Sequence, residues 1–312
     1  MTAVLRVENL TVDVGNLRIV DGLDLELRAG ERVALVGESG SGKSMTARAL
    51  LRLDPSVTVG GQVWLGDRDL VTLSEKQMQR VRGTELAMVF QDPSTALNPL
   101  RRVGDQVAEP LRIRGVSRRD ARRRAAEMLD RLGVPRAAER LNAYPHEFSG
   151  GMRQRVMLAA ALITGPRVLI ADEPTTALDV RVQEKVLALI EQLAAEDGIA
   201  VLLITHDLGI VAGFADRVAV MYAGRKVEEN SVETFFAGPS HPYGRGLLNS
   251  VPRVDRALTE RLDTIPGTAV KPSARPPGCS FHPRCSAAVS RCSAEAPVLV
   301  TIGSGQVACH EV

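Results

Sequence analysis

Short runs of alternating hydrophobic and polar positions fill residues 4–36, as VLRVENLTVDV, IVDGLDLEL and ERVALVG, with Gly22, Gly30 and Gly37 at the turns. A two-residue period predicts strands, and the apolar run at 33–36 predicts a buried one. Residues 44–53 are apolar at helical spacing and stop before Asp54-Pro55. A glycine-rich loop therefore lies between a predicted strand and a predicted helix. From about 92 to 166 the pattern becomes that of amphipathic helices, in QVAEPLRIRG, RRDARRRAAEMLDRLG and GMRQRVMLAAALI. This predicts a helical insert between two strands of the core. Strand patterning returns in RVLIADE, a helix is predicted over about 180–195, and AVLLITHD, DRVAVMYAG and RKVEEN follow. The order of elements predicts an α/β fold with a strand-rich N-terminal part and a mostly parallel sheet. Beyond about 235 prolines become dense, as in HPYGRGLL, IPGTAV and ARPPGCSFHP, and regular periodicity fades. The expected division is a domain over 1–235, with its insert at about 92–166, and a loop-dominated Pro/Cys-rich extension over 236–312.

Composition narrows the class. A hydrophobic content of 45% with 24% charged residues fits a globular protein and argues against a long disordered tract. The net charge is +2, from 39 basic and 37 acidic residues, which is too balanced to point to nucleic acid or an anionic membrane. The longest apolar stretch, 156–170, is broken by Thr164, Gly165, Pro166 and Arg167, and so falls short of a spanning helix. The N-terminal residues place charges among alternating apolar positions and lack the apolar core of a signal peptide, so a cytoplasmic location is expected.

The chemistry is concentrated in an ordered set of motifs. Residues 37–44, GESGSGKS, match G-x-x-x-x-G-K-[ST]. Gly37, Gly40 and Gly42 let successive N–H groups, those of Ser39 and Ser41 among them, face a phosphate chain, and the following helix adds its positive end. Lys43 is placed to reach the β and γ phosphates and Ser44 to bind Mg²⁺. In VLIADEP, at 168–174, a buried strand ends in two carboxylates. Adjacent strand residues point to opposite faces, so Asp172 is assigned to Mg²⁺ and Glu173 to polarising the attacking water. His206 follows the apolar run AVLLIT and is placed to touch the γ-phosphate. The basic run RRDARRR at 118–124 shares its helix with Asp120, Glu127 and Asp130 and reads as a solvated face.

Taken with Gln91 in VFQDP, FSGGM at 148–152 and TALD at 176–179, the set resembles the Walker A, Q-loop, signature, Walker B, D-loop and switch-histidine elements of ATP-binding-cassette ATPases. The resemblance covers about residues 4–235 and implies a P-loop, RecA-like core binding ATP with Mg²⁺, with Gln91 also at the metal. It further implies that two cassettes pair head to tail, so that Ser149, Gly150 and Gly151 act on the partner's ATP. Two departures stand out. Phe148 and Met152 occupy signature positions where the family commonly has Leu and Gln. In addition, no aromatic residue precedes Trp64, so the expected adenine-stacking position falls on Val14, or on Ile19 or Val20. Base stacking is worth about 1–3 kcal/mol per base, so weaker ATP affinity is expected.

The tail, HPYGRGLLNSVP and IPGTAVKPSARPPGCSFHPRC, resembles the C-terminal extension of ATPases from dipeptide, oligopeptide and nickel importers. That resemblance implies a peripheral subunit on the cytoplasmic face of the membrane. Its partners would be a second, related ATPase chain, two membrane permease subunits and an extracytoplasmic substrate-binding protein, with no nucleic acid. A nickel or metallophore importer, and a soluble cassette protein acting on DNA or ribosomes, are the alternatives.

All four cysteines, Cys279, Cys285, Cys292 and Cys309, lie in this tail, separated by five, six and sixteen residues. Such spacing fits neither the common zinc pattern nor a ferredoxin run, and disulfides are disfavoured in a reducing compartment. The resemblance points to a four-iron four-sulfur cluster, with zinc as the alternative, His282 and His310 as additional zinc ligands, and free thiols as the third option. Because the tail is poor in apolar residues, a metal staple is expected to fold it.

Overall fold

The structure, a computed structural model, describes residues 3–91, 96–175, 179–251 and 264–312. The strands are β1 (Ala3–Val14), β2 (Leu17–Arg28), β3 (Arg32–Val36), β4 (Val57–Leu65), β5 (Arg68–Asp69), β6 (Leu86–Val89), β7 (Val168–Asp172), β8 (Ala200–Thr205), β9 (Arg217–Tyr222), β10 (Arg225–Ser231), β11 (Val300–Ile302) and β12 (Gly305–Val307). The chain separates into two compact units. One is built mainly from residues 73–202, the other from residues 5–27, 32–72 and 203–312.

In the unit of residues 73–202, β6 and β7 run parallel, from Leu86 opposite Val168 to Val89 opposite Ala171. Every residue of β7 is buried, which explains its unbroken apolar sequence up to Asp172. The periodic segments of the insert form the helices Val103–Ile113, Arg118–Arg131 and Gly150–Leu162, and Val180–Asp197 follows β7. Their starts are fixed locally. Ser117, Ser149 and Asp179 each accept a hydrogen bond from the backbone N–H three residues on, and such a cap is worth about 1 kcal/mol. In the basic run over 118–124, Arg118, Arg119 and Arg124 are exposed and two other arginines form ion pairs within the unit. Arg122 reaches Asp105 at 2.8 Å and Arg123 reaches Glu127 at 2.7 Å.

In the other unit, β1 and β4 pair antiparallel from Leu5 opposite Leu65 to Val14 opposite Val57, in a sheet ordered β2-β1-β4-β5. The alternation read from residues 4–28 buries Leu5, Leu10, Val12, Leu23, Leu25 and Leu27. Separately, β3 runs parallel to β9 from Val33 opposite Arg217 to Val36 opposite Val220. β9 then pairs antiparallel with β10, β10 with β12 and β12 with β11.

The tail combines irregular segments with regular elements. It supplies β11, β12 and the helix Pro242–Asn249, and its rings complete a core. Tyr222, Phe235, Tyr243 and Phe281 pack with Ala34, Val36, Val211, Val218 and Val220 in one buried cluster. Tyr222 lies 4.6 Å from Tyr243 and 5.2 Å from Phe281 between ring centroids, both in tilted or edge geometry. A few large rings substitute for many aliphatic residues, because each buries a large apolar area. A buried carboxylate also anchors the tail. Glu228 accepts the N–H groups of Ser240 and His241 at 2.6 and 3.0 Å, just before Pro242–Asn249 begins.

Candidate functional site

The loop after β3 takes its shape from glycine. Gly37 has φ 152°, and a Cβ there would lie 2.2 Å from the carbonyl oxygen of Met221. No side chain fits. Gly42, at φ 104°, starts the helix Lys43–Leu50, whose first turn contains no acidic residue. The positive helix end is therefore left for an anion. Lys43 is 6% exposed, and its Nζ donates to the carbonyls of Gly37 at 2.7 Å and Glu38 at 3.0 Å. Ser41 and Gly42 are buried, Ser44 is half-buried, and Ser39 and Gly40 are exposed. Beside this loop, Val20 Cγ2 and the Ile19 carbonyl lie 3.4 and 3.5 Å from where a Gly42 Cβ would stand, whereas Val14 is 41% exposed.

Two residues that sequence reasoning missed touch the same loop. The Tyr243 hydroxyl oxygen accepts from the Glu38 N–H at 2.7 Å, and Arg284 donates to both Glu38 carboxylate oxygens at 2.6 and 3.0 Å. The signal was present only as the position of an arginine beside a cysteine in the tail.

At the end of β7, Asp172 is 4% exposed and Glu173 half-buried. Glu173 has φ 47°, the left-handed region that few residues with a side chain adopt. Its Oε2 accepts from Gln91 Nε2 at 2.8 Å. Two residues 82 positions apart in sequence thus meet. Asp92 and Pro93 of VFQDP, and Thr176, Ala177 and Leu178 of TALD, lie outside the described residues.

Ser149 caps the helix Gly150–Leu162, its Oγ accepting from Met152 N–H at 3.4 Å. Ser149 and Gly150 are exposed, and a Cβ on Gly151 would stand 2.5 Å from Val182 Cγ1. The two unusual signature residues share one partner. Arg140 lies over the Phe148 ring at 5.4 Å and its Nη1 reaches the Met152 sulfur at 3.4 Å. His206 is exposed in the turn between β8 and the helix Leu208–Phe214. That turn is fixed by Asp207, whose N–H donates to Thr205 Oγ1 at 3.0 Å and whose carboxylate caps the helix.

Cys279 and Cys285 are half-buried and burial pushes both thiols up, with the charges of Cys292 and Cys309 adding to the effect. Among the described residues no group of three or more His, Cys, Asp and Glu side chains is arranged to hold a metal ion. His282 Nδ1 and His310 Nε2 instead donate to the backbone carbonyls of Cys279 and Glu295, both at 2.9 Å. The expected four-iron four-sulfur cluster, and zinc in its place, are without support among the described residues. Ser44, Gln91 and Asp172 each carry a hard oxygen of the kind Mg²⁺ takes.

Comparison with known proteins places these elements in context. A family model described as "ABC transporter" matches residues 20–176. A second, described as "Oligopeptide/dipeptide transporter, C-terminal region", matches residues 227–292. A relative in Brucella abortus (strain 2308), named as a peptide import ATP-binding protein, is 48% identical over 312 residues, spanning 98% of this chain and 94% of its own. Another in Sinorhizobium fredii, named as a peptide ABC transporter ATP-binding protein, is 52% identical over 297 residues, spanning 93% and 88%. Among solved structures, a dimeric ATP-binding cassette bound to ADP and Pi in a post-hydrolysis state is 29% identical with a TM-score of 0.65, covering 73% of this chain and 98% of its own. A component of an ABC transporter complex from Clostridium perfringens is 27% identical with a TM-score of 0.68, covering 76% and 92%.

Proposed function

We propose, on the premise that the chain belongs to the ABC transporter family, a division of labour for the ATP-hydrolysing, energy-coupling subunit of a peptide importer. The observation that carries this reading is the presence, on one chain, of a cassette match over 20–176 and an oligopeptide/dipeptide transporter match over 227–292. Relatives named for peptide import extend over nearly the whole length. The cassette is assigned to residues 1–235 and the extension to 236–312.

Within the cassette the N–H groups of Gly37, Ser39, Gly40, Ser41 and Gly42 receive the phosphate chain, and Lys43 adds a point charge at its outer phosphates. Ser44, Gln91 and Asp172 would hold Mg²⁺, which supplies charge neutralisation on the phosphate oxygens. Glu173 orients and polarises the attacking water, with Gln91 fixing its carboxylate and His206 contacting the γ-phosphate. Ser149, Gly150 and Gly151 act on the nucleotide of a second cassette, so that a lone chain hydrolyses slowly.

The subunit works as one of a cassette pair on membrane permease partners. We assign the second cassette to a related, different chain, and add two permease subunits and an extracytoplasmic substrate-binding protein. Among the described residues no helix is long and apolar enough to cross a membrane, which suits a peripheral position on the cytoplasmic face. The four-iron four-sulfur cluster, with zinc as the alternative, has no support among the described residues and is given no step in this reading.

Reconstitution with the permease subunits, the second ATPase and the binding protein in vesicles tests the reading. Expected is ATP hydrolysis stimulated by peptide-loaded binding protein, together with peptide uptake. Stimulation by nickel or a metallophore and not by peptide would overturn the peptide assignment.

A further inference from the structure

We propose that Arg284 and Tyr243, both in the C-terminal extension, are positioning residues for the phosphate-binding loop, acting through Glu38. The inference rests on the reading of residues 37–44 as that loop. Three groups of Glu38 are held at once. Its N–H donates to the Tyr243 oxygen at 2.7 Å, its carboxylate receives two Arg284 nitrogens at 2.6 and 3.0 Å, and its carbonyl receives Lys43 Nζ at 3.0 Å. Glu38 therefore joins the loop lysine to the extension, across 246 positions of sequence in the case of Arg284.

The arginine is built in and not merely present. Its side chain is 4% exposed, its Nε donates to the Pro266 carbonyl at 2.7 Å, and its guanidinium carbon lies 5.9 Å from the centre of the Tyr222 ring. It closes the short turn His282–Arg284, next to the buried Phe281. A planar guanidinium offering two parallel N–H donors fixes the direction of a carboxylate, which an ammonium does not. Hydrogen bonding to Glu38 holds its proton more firmly than in a free arginine. Tyr243 is fully buried, and burial pushes its phenol up, so its oxygen stays a neutral acceptor for the loop N–H.

The consequence concerns phosphate binding. Successive N–H groups must converge on one anion, and their direction depends on the rotation of the peptide between Gly37 and Glu38. That peptide carries the N–H bonded to Tyr243, and its carbonyl, that of Gly37, is bonded to Lys43. The extension thereby sets the geometry of the loop, and anything that shifts the 279–285 segment is transmitted to nucleotide affinity.

The test uses the purified full chain, with ADP and a non-hydrolysable ATP analogue titrated by calorimetry in the presence of Mg²⁺, and urea unfolding run alongside. Arg284→Gln and Glu38→Gln are each expected to weaken binding about fivefold or more, the lower end of ordinary inter-site coupling. The double variant should be no weaker than either single one, since both break the same guanidinium–carboxylate pair. Arg284→Lys should restore part of the affinity, and in the assembled transporter KM for ATP should rise with kcat little changed. Tyr243→Phe removes a hydroxyl alone and serves if Arg284→Gln does not fold.

Binding within twofold of the unmodified chain in folded Arg284→Gln or Tyr243→Phe would overturn the proposal, as would additive losses in the double variant. Lys43→Ala separates the two readings. If it abolishes binding while the Arg284 and Tyr243 variants bind fully, the positioning role alone fails. If it too binds fully, the loop assignment is at fault.

Discussion

Gln91 Nε2 donates to Glu173 Oε2 at 2.8 Å, and the glutamate it holds stands at φ 47° directly after a buried strand. A side-chain-bearing residue in that region costs about 1–3 kcal/mol, and such cost is concentrated at functional positions. The left-handed turn takes Glu173 out of the strand's alternation, while Asp172 stays buried at its end. Glu173→Gln keeps the size and removes the base. Hydrolysis in the assembled transporter should fall by about 10²–10⁴-fold, the usual contribution of a general base, with nucleotide affinity kept. Turnover at the unmodified rate would remove Glu173 from the mechanism.

Ser149 has two assignments that can be separated. Its Oγ caps the helix Gly150–Leu162 through Met152 N–H, so Ser149→Ala should cost about 1 kcal/mol of stability. If its exposed face also serves a second cassette, the variant should impair the partner's site more than its own. In complexes carrying one modified and one unmodified cassette, single-turnover hydrolysis at each site distinguishes them. Equal loss at both sites would reduce Ser149 to a cap.

Gly151 faces a neighbouring helix, and an added Cβ would stand 2.5 Å from Val182 Cγ1. Gly151→Ala should destabilise the chain by about 1–3 kcal/mol through overpacking, read as a lower urea midpoint. Val182→Ala in the same chain should recover most of that loss by vacating the space. If ATPase activity does not recover with it, Gly151 is needed for nucleotide as well as for packing.

The legible parts of this molecule were those encoded locally. The period of the apolar positions placed β1 to β3, the helices of the insert and the buried strand ending in Asp172, because burial on one face repeats with the element's own geometry. The glycine loop and its lysine were legible because their spacing answers directly to the shape of a phosphate chain. The tail was not. Its order depends on Tyr243 and Phe281 packing against Tyr222 and on Glu228 receiving the N–H groups of Ser240 and His241, and no periodicity announces such contacts. The same limit hid Arg284 against Glu38.

The buried His241 gives the tail a dependence on acid. Its Nδ1 accepts from Tyr243 N–H at 3.0 Å, capping Pro242–Asn249, and the residue is 1% exposed. Burial, with the charge of Arg245 as a smaller cause, pushes it down to about 4 from the ordinary 6.5. Between those values the unfolded chain binds a proton that the folded chain refuses, so unfolding gains as pH falls. The stabilisation is complete above pH 6.5, is lost progressively toward pH 4, and amounts to on the order of 3 kcal/mol at most. Glu228, which receives the His241 N–H, opposes this, since burial raises its carboxyl above the ordinary value. Protonated Glu228 favours the folded chain as pH falls, so the measured slope is a difference of the two. His241→Asn keeps an oxygen able to cap the helix and removes the titration. Urea midpoints measured from pH 7 to pH 4.5 should fall more steeply for the unmodified chain than for this variant. Parallel curves would show that His241 takes up its proton without disturbing the tail, and that the acid response lies in other groups.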